Sequence, residues 1–423
     1  MKNLRIINGR VIDPANQRDA IGDVFVSDGK FGASLPDGDV ETIDATGLVV
    51  APGLIDIHVH VREPGQSHKE TIASASRAAA AGGFTSIVTM PNTSPTADSA
   101  ATIAWIRAKA EKESCVNVFC TGAITKGLQG EELAPFGALL AAGIVAITDD
   151  GRCIENHEVM RRAVEYAGMF GLPVMDHCQD VSLVGEGVMH EGEWSLRLGL
   201  PGWPRIGEEV IVARNIQLAE LCQSPVHCQH ISSGGSVRLL REARARGVQI
   251  SGEVCPHHIA LTDASLAHFD SNFKMNPPLR APEDVEAIIE GIADGTLTIL
   301  CSDHAPHAAY EKEVEFDQAP FGITGLETEF SIFCDLLVHK RNAISLQRLI
   351  ELYTTEPSKL LRLDRGTLAP GAPADVTLID PELSWTFEKS QSLSLSHNTP
   401  FDGHSWKGRA VRTIVAGETV WSL

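Results

Sequence analysis

Between residues 54 and 303, short apolar runs alternate with longer stretches rich in Ala, Leu, Glu and Arg, and this alternation limits the architecture more than any other feature of the chain. The apolar runs fall at 54–60, 85–90, 116–121, 143–148, 173–177, 226–230, 248–254 and 297–303. Each has the length and composition of a buried strand. The stretches between most of them have helical periodicity. The first, 68–81, is predicted to end at Gly82-Gly83, where glycine accepts a left-handed backbone. Eight such units predict a (β/α)8 TIM barrel of parallel strands. The flanks differ. Asn8-Gly9 sits between Ile6-Ile7 and Val11-Ile12, and Asp28-Gly29 follows Val24-Phe25-Val26; both dipeptides signal hairpins. Residues 375–380 and 411–417 are also strand-like. The expected organisation is a barrel over 52–364 and a small β domain built from both ends, 1–51 and 365–423. The Ser-rich stretch 390–396 reads as a surface loop.

Length and charge bound the function. A chain of 423 residues suits one large and one smaller domain. Its 55 acidic against 35 basic residues give a net charge of -20, which argues against nucleic acid and anionic membranes as partners. A small anionic substrate stays compatible, because a few local Arg and His residues outweigh the global field. Nine cysteines with no C-x-x-C pair read as reduced thiols. The start lacks a signal-like apolar run, and no segment approaches the roughly 20 apolar residues needed to span a bilayer. The expectation is a soluble cytoplasmic protein.

Barrel enzymes build their sites at the C-terminal ends of the strands. The first predicted strand ends Asp56-Ile57-His58-Val59-His60. Alternation puts His58 and His60 on one face, where two neutral imidazoles can hold one divalent metal. The fifth ends at His177, the sixth at His230 and the eighth at Asp303. A lone histidine at a strand end is more often a satisfied core residue, but four with an aspartate point to a metal. Nitrogen and carboxylate donors without thiolate suit a catalytic zinc or similar ion. Such an ion makes a hydroxide nucleophile from water, with Asp303 placed as general base and then general acid. The fourth strand runs into Thr148-Asp149-Asp150-Gly151, where either aspartate could bridge two metals or simply form a turn.

The stretch from Asp56 to Pro64 resembles the first dihydroorotase signature. Ser302-Asp303-His304-Ala305-Pro306-His307, followed by Lys312, resembles the second. Met90-Pro91-Asn92-Thr93, Lys274-Met275-Asn276-Pro277-Pro278-Leu279-Arg280 and Pro320-Phe321-Gly322-Ile323 are similar to further motifs of that family. The resemblance covers essentially the whole chain. It implies reversible hydrolysis of dihydroorotate to N-carbamoyl-L-aspartate in pyrimidine synthesis. It implies His58, His60, Asp150, His177, His230 and Asp303 as ligands of one or two zinc ions. It implies Arg62, Asn92, Asn276, His307, Phe321 and Gly322 as substrate contacts. Arg62 suits the substrate carboxylate, and Asn92 can both donate and accept.

The chain departs from the wider amidohydrolase pattern in having no Lys at the end of strand four, which resembles the bacterial branch that bridges with Asp. Lys126 reads as a surface residue. Gln179 and Cys301 stand where an acid and a smaller residue are usual, and neither is an expected ligand. The rival activities are hydantoinase or allantoinase. A third reading is an inactive scaffold for aspartate transcarbamoylase. That protein and a second copy of the chain are the candidate macromolecular partners. The polar segment 307–320 reads equally as a lid or as an exposed loop.

Overall fold

The computed structural model describes residues 3–34 and 38–423. Eight parallel strands form one sheet whose spatial order follows the chain: Leu54–Val59, Phe84–Thr89, Asn117–Gly122, Ile144–Ile147, Val174–Asp176, Val226–Cys228, Ile250–Val254 and Ile299–Leu300. The barrel closes where Val59 pairs in parallel with His304, just beyond the eighth strand. The His60 N–H donates to the His304 carbonyl at 2.9 Å in the same seam. Ile55, Ile57, Val88, Met175 and Ile299 fill the interior. The barrel is thus a packed core beneath its mouth rather than a pore.

The helix after the first strand, Ile72–Gly82, starts four residues later than its composition suggests. Thr71 caps it: its hydroxyl accepts from the Ser74 N–H while the Ser74 hydroxyl accepts from the Thr71 N–H, each at 3.0 Å. Gly83, at φ 97°, ends it as expected.

A second eight-stranded sheet joins the two ends of the chain. Val49–Pro52 is its seam. Val49 and Val50 pair in parallel with Arg10 and Val11 of Asn3–Asp13, and Ala51 pairs antiparallel with Thr377 of Val376–Thr386. Ile6, Val11, Val24, Val50, Val376 and Ile414 form its core. The sheet docks on the barrel through threonines. Thr377 Oγ1 donates to the Gly83 carbonyl at 2.7 Å and Thr413 Oγ1 to the Ala80 carbonyl at 2.6 Å.

Two local expectations are corrected. Asp28-Gly29 is a two-residue turn with positive φ at both positions, joining Arg18–Ser27 to Lys30–Gly32. Asn8-Gly9 is not a hairpin but a bulge inside the single strand Asn3–Asp13. It falls where that strand changes parallel neighbours, from Val40–Asp44 to Val49–Pro52. A Cβ at Gly9 would lie 2.4 Å from Val50 Cγ2, so glycine is required by close approach and not by a turn. The stretch 390–396 is not simply a surface loop. Leu393 and Leu395 are exposed, but Ser394 and Ser396 are buried. Ser394 Oγ donates to Glu70, and Ser396 Oγ donates to the Lys69 carbonyl at 2.6 Å.

Gly83 joins barrel and sheet in a left-handed conformation, and a Cβ there would lie 2.6 Å from Ala410 Cβ. Gly83→Ala is expected to destabilise the protein by about 3 kcal/mol, from the αL penalty plus overpacking. Urea unfolding measures this, and an unchanged midpoint would refute it.

Candidate active site

Six side chains converge at the C-terminal mouth of the barrel. His58 lies on the first strand and His60 just past it. Asp150, His177, His230 and Asp303 each follow the ends of strands four, five, six and eight within three residues. His58 is completely buried, and its Nε2 lies 3.2 Å from Asp150 Oδ1 and 3.5 Å from Asp303 Oδ1. His60 Nε2 lies 3.1 Å from Asp303 Oδ1 and 3.3 Å from Asp150 Oδ2. His177 Nδ1 and His230 Nε2 both lie 3.6 Å from Asp150 Oδ1. Asp149 is elsewhere: its carboxylate accepts from the Ile124 and Thr125 N–H groups and the Thr125 hydroxyl. Of the adjacent pair, Asp150 therefore faces the histidines. Lys126 is exposed, as the sequence suggests.

The cluster balances buried charge internally. Burial opposes a proton on His58, but the carboxylates of Asp150, Glu253 and Asp303 outweigh it and hold the imidazole well above its ordinary pKa. Burial likewise opposes ionisation of Asp150. The charge of His58, with the His177 and His230 rings close beside it, holds that carboxyl well below its usual range. Asp303 is also lowered against burial, by His58 and then His60. Positive charge is what these carboxylates require.

The donor set fits a metal ion. His58, His60 and Asp303 present ligand atoms within 4.8 Å of one another, and so do His58, Asp150 and His230. His58 Nε2, Asp150 Oδ1 and His230 Nδ1 are buried without a hydrogen-bond partner. Orphaned donors and acceptors are expensive unless an ion or water satisfies them.

Above the cluster lies a cavity of about 350 Å³. Every residue nominated from the sequence lines it except His58, which lies beneath. Arg62 Nε donates to the Pro306 carbonyl at 3.1 Å, and burial brings its pKa down to about 10, so it stays charged at neutral pH. His307 is pushed down to about 2 by burial and by Arg62, Lys69 and Lys312, and is therefore neutral; its Nε2 bonds the Phe321 carbonyl at 2.8 Å. Asn92 Oδ1 accepts from His60 Nδ1 at 3.0 Å. Asn276 Nδ2 donates to Gln179 Oε1 at 3.0 Å, leaving its own Oδ1 unpartnered. A larger cavity, about 690 Å³, lies at the opposite end of the barrel near Asn117 and Arg365 and touches none of these residues.

Sequence reasoning missed the residues that orient the histidines. Glu253, fully buried, accepts from His58 Nδ1 at 2.6 Å and from His227 Nε2 at 3.0 Å. This fixes His58 with Nε2 free to face the cluster. Gln179 Oε1 accepts from His177 Nε2 at 2.8 Å, which turns Nδ1 inward. A glutamate inside the apolar strand Ile250–Val254 was the available signal for the first. Gln179 was marked only as a departure from the acid usual at that place, two residues after His177, and not as a partner of that histidine. The segment 307–320 is neither wholly exposed nor loose: Tyr310 and Val314 face solvent, while Lys312, Phe316 and Ala319 are buried.

A parallel barrel with a flanking sheet and a histidine–aspartate cluster at its C-terminal mouth defines an amidohydrolase. The amidohydrolase family model matches residues 212–421, and the dihydro-orotase-like model matches residues 47–236. Dihydroorotase of Solibacter usitatus (strain Ellin6076) is 50% identical over 420 residues, covering 99% of this chain and 97% of that protein. Dihydroorotase of Citrifermentans bemidjiense is 50% identical over 424 residues, covering 99% of both. The chain belongs to the dihydroorotase family. Among solved structures, L-hydantoinase (dihydropyrimidinase) from Arthrobacter aurescens superposes with a TM-score of 0.89 at 24% identity, over 100% of this chain and 96% of that one. Dihydropyrimidinase from Brevibacillus agri NCHU1002 gives 0.87 at 24%, over 99% and 95%. At that identity the likeness speaks for the fold alone.

Glu253→Gln weakens the hydrogen bond that orients His58. It is expected to lower metal affinity roughly 10–100-fold, the usual scale for such partners. Chelator titration followed by elemental analysis measures this, and wild-type retention would rule it out.

Proposed function

We propose that the protein is a dihydroorotase, interconverting dihydroorotate and N-carbamoyl-L-aspartate. The observation that carries this is identity of about half the residues over the full chain to proteins bearing that name. The cavity supports it, because its one guanidinium, Arg62, sits beside Asn92 and Asn276 above the histidine–aspartate cluster. An anionic cyclic amide needs one cation for its carboxylate and polar groups for its ring edge. A hydantoin ring has no carboxylate for Arg62.

His58, His60, Asp150, His177, His230 and Asp303 would hold zinc, the ion that nitrogen and carboxylate donors without thiolate suit. Bound there, it supplies an acidified water as nucleophile and polarises the amide carbonyl. Arg62 pairs with the substrate carboxylate and fixes the ring over the cluster. Asn92 and Asn276 meet the ring amide, and the Phe321-Gly322 wall with His307 encloses it. Asp303, ionised because His58 and His60 lower it, accepts the proton that water loses on attacking the ring carbon. As the C–N bond breaks, the same carboxyl returns the proton to the departing nitrogen. Ring closure reverses these steps. All nine cysteines are free thiols, which fits a reducing cytoplasm. No helix among the described residues is long and apolar enough to cross a membrane.

Purified protein is expected to consume dihydroorotate, followed by ultraviolet absorbance, with activity removed by chelator and restored by zinc. Turnover of hydantoin or allantoin instead would overturn the substrate assignment. Asp303→Asn should lower kcat by at least about 10²-fold with the fold intact by circular dichroism; retained turnover would remove its acid–base role. Arg62→Met should raise KM for dihydroorotate at least about tenfold, the scale of a lost charged hydrogen bond. An unaltered KM would take Arg62 out of substrate binding.

A further inference from the structure

Two segments of the cavity wall are held together by side chains that do not themselves line the cavity. Ala305 and His307 belong to one segment, Phe321 and Gly322 to the other. Asn398, two residues past the Ser-rich stretch, is 4% exposed and spans both. Its Oδ1 accepts from the His307 N–H at 2.9 Å. Its Nδ2 donates to the Ala305 carbonyl at 3.2 Å and to the Gly322 carbonyl at 3.0 Å. Its own carbonyl accepts from the Thr324 N–H at 2.9 Å. Every polar atom of that side chain is thus spent on the backbone of the wall.

Lys312 also donates to the Gly322 carbonyl. Its Nζ donates to the carbonyls of Pro320 at 2.8 Å, Gly322 at 3.1 Å and Lys274 at 3.3 Å. It is 5% exposed, and among the described residues no carboxylate lies within ion-pair distance of it. Burial pulls its pKa down to about 7, the cost of holding an amine where only main-chain carbonyls meet it, so its return lies in what it holds. Gly322 is locked further by its N–H bond to the Lys274 carbonyl at 3.0 Å. At φ 123°, a Cβ on it would lie 2.7 Å from Ala305 Cβ. The two segments touch closely and also bond directly, the Ala305 N–H to the Ile323 carbonyl and His307 Nε2 to the Phe321 carbonyl, each at 2.8 Å, and Asn398 and Lys312 add to these ties.

We infer that Asn398 is a positioning residue: it fastens the His307 and Gly322 segments into a preformed substrate wall, with Lys312 anchoring the same carbonyl. The inference rests on the proposed cyclic-amide reaction for its kinetic consequence, but not for its structural one. A wall held in place lowers the ordering that the substrate would otherwise have to drive, and it acts on binding more than on proton transfer.

Asn398→Asp is nearly isosteric, keeps the acceptor for His307 and sets a carboxylate oxygen against two carbonyls. KM for dihydroorotate is expected to rise roughly tenfold, kcat to change less than about threefold, and zinc content to stay at the wild-type value. Hydrogen exchange at the His307 and Gly322 amides is expected to quicken while the barrel strands stay protected. Lys312→Met, removing the second donor to the same carbonyl, should also raise KM. The double variant should then fall short of the product of the two effects. Unchanged exchange at those amides, or zinc content and kcat falling together with KM unmoved, would overturn the inference. If wild-type protein turns over no dihydroorotate, the functional reading fails alone, and the exchange rates, which need no substrate, decide the positioning. If Asn398→Asp does not fold, the same exchange and KM readings on Lys312→Met decide it.

Discussion

His58 has no exposed surface and bonds a buried carboxylate through Nδ1 while its Nε2 faces two more. Three acids packed around one imidazole would repel each other apart in a low-dielectric interior without positive charge between them. The arrangement tolerates them because His58, His60, His177 and His230 surround Asp150 and Asp303. Glu253 in turn fixes which nitrogen of His58 looks inward. The rest of the mouth follows from this balance. The barrel seam closes on His304, immediately after Asp303, and His304 Nε2 lies 3.3 Å from Glu70, which the Ser-rich stretch covers.

Three of the residues in the cavity wall and floor carry backbone strain. Arg62, His230 and Asp303 have φ of 58°, 32° and 47°, in the left-handed region that side chains disfavour. Each costs about 1–3 kcal/mol and persists only where its surroundings dictate it. All three follow a barrel strand, where the chain must turn sharply out of the sheet while still aiming a side chain over the mouth. The strain is the consequence of asking the last residues of a strand to serve both pairing and chemistry.

The barrel was legible because its strands are buried on both faces and so appear as continuous apolar runs. The eight runs start within two residues of the observed strands. The convergence of His58, His60, His177, His230 and Asp303 was legible because strand ends of a parallel barrel share one mouth. Between Asp149 and Asp150 the residues alone gave no answer, since the choice depends on Asp149 capping the Ile124-Thr125 backbone. The Asn8-Gly9 misreading has a similar origin: a dipeptide reports positive φ, but what crosses it, here Val50, is a tertiary fact. Asn398 and Ser394 were opaque for the same reason. The partners of their side chains lie 76 to 324 residues away, and nothing local distinguishes them from ordinary loop residues.

The seam strand Val49–Pro52 has a consequence for how the chain is made. One of its edges pairs with Arg10 and Val11 as soon as it is synthesised, but the other waits for Val376–Thr386. Some 320 residues, including the whole barrel, leave the ribosome in that interval. Throughout it the N-terminal strands present an open, apolar sheet edge, the kind of surface that recruits stray strands. The barrel's strands pair with sequential neighbours except at the closing seam of Val59 with His304, so most of it can assemble as it emerges. Synthesis therefore leaves the catalytic half ordered first and the sheet that braces it completed last.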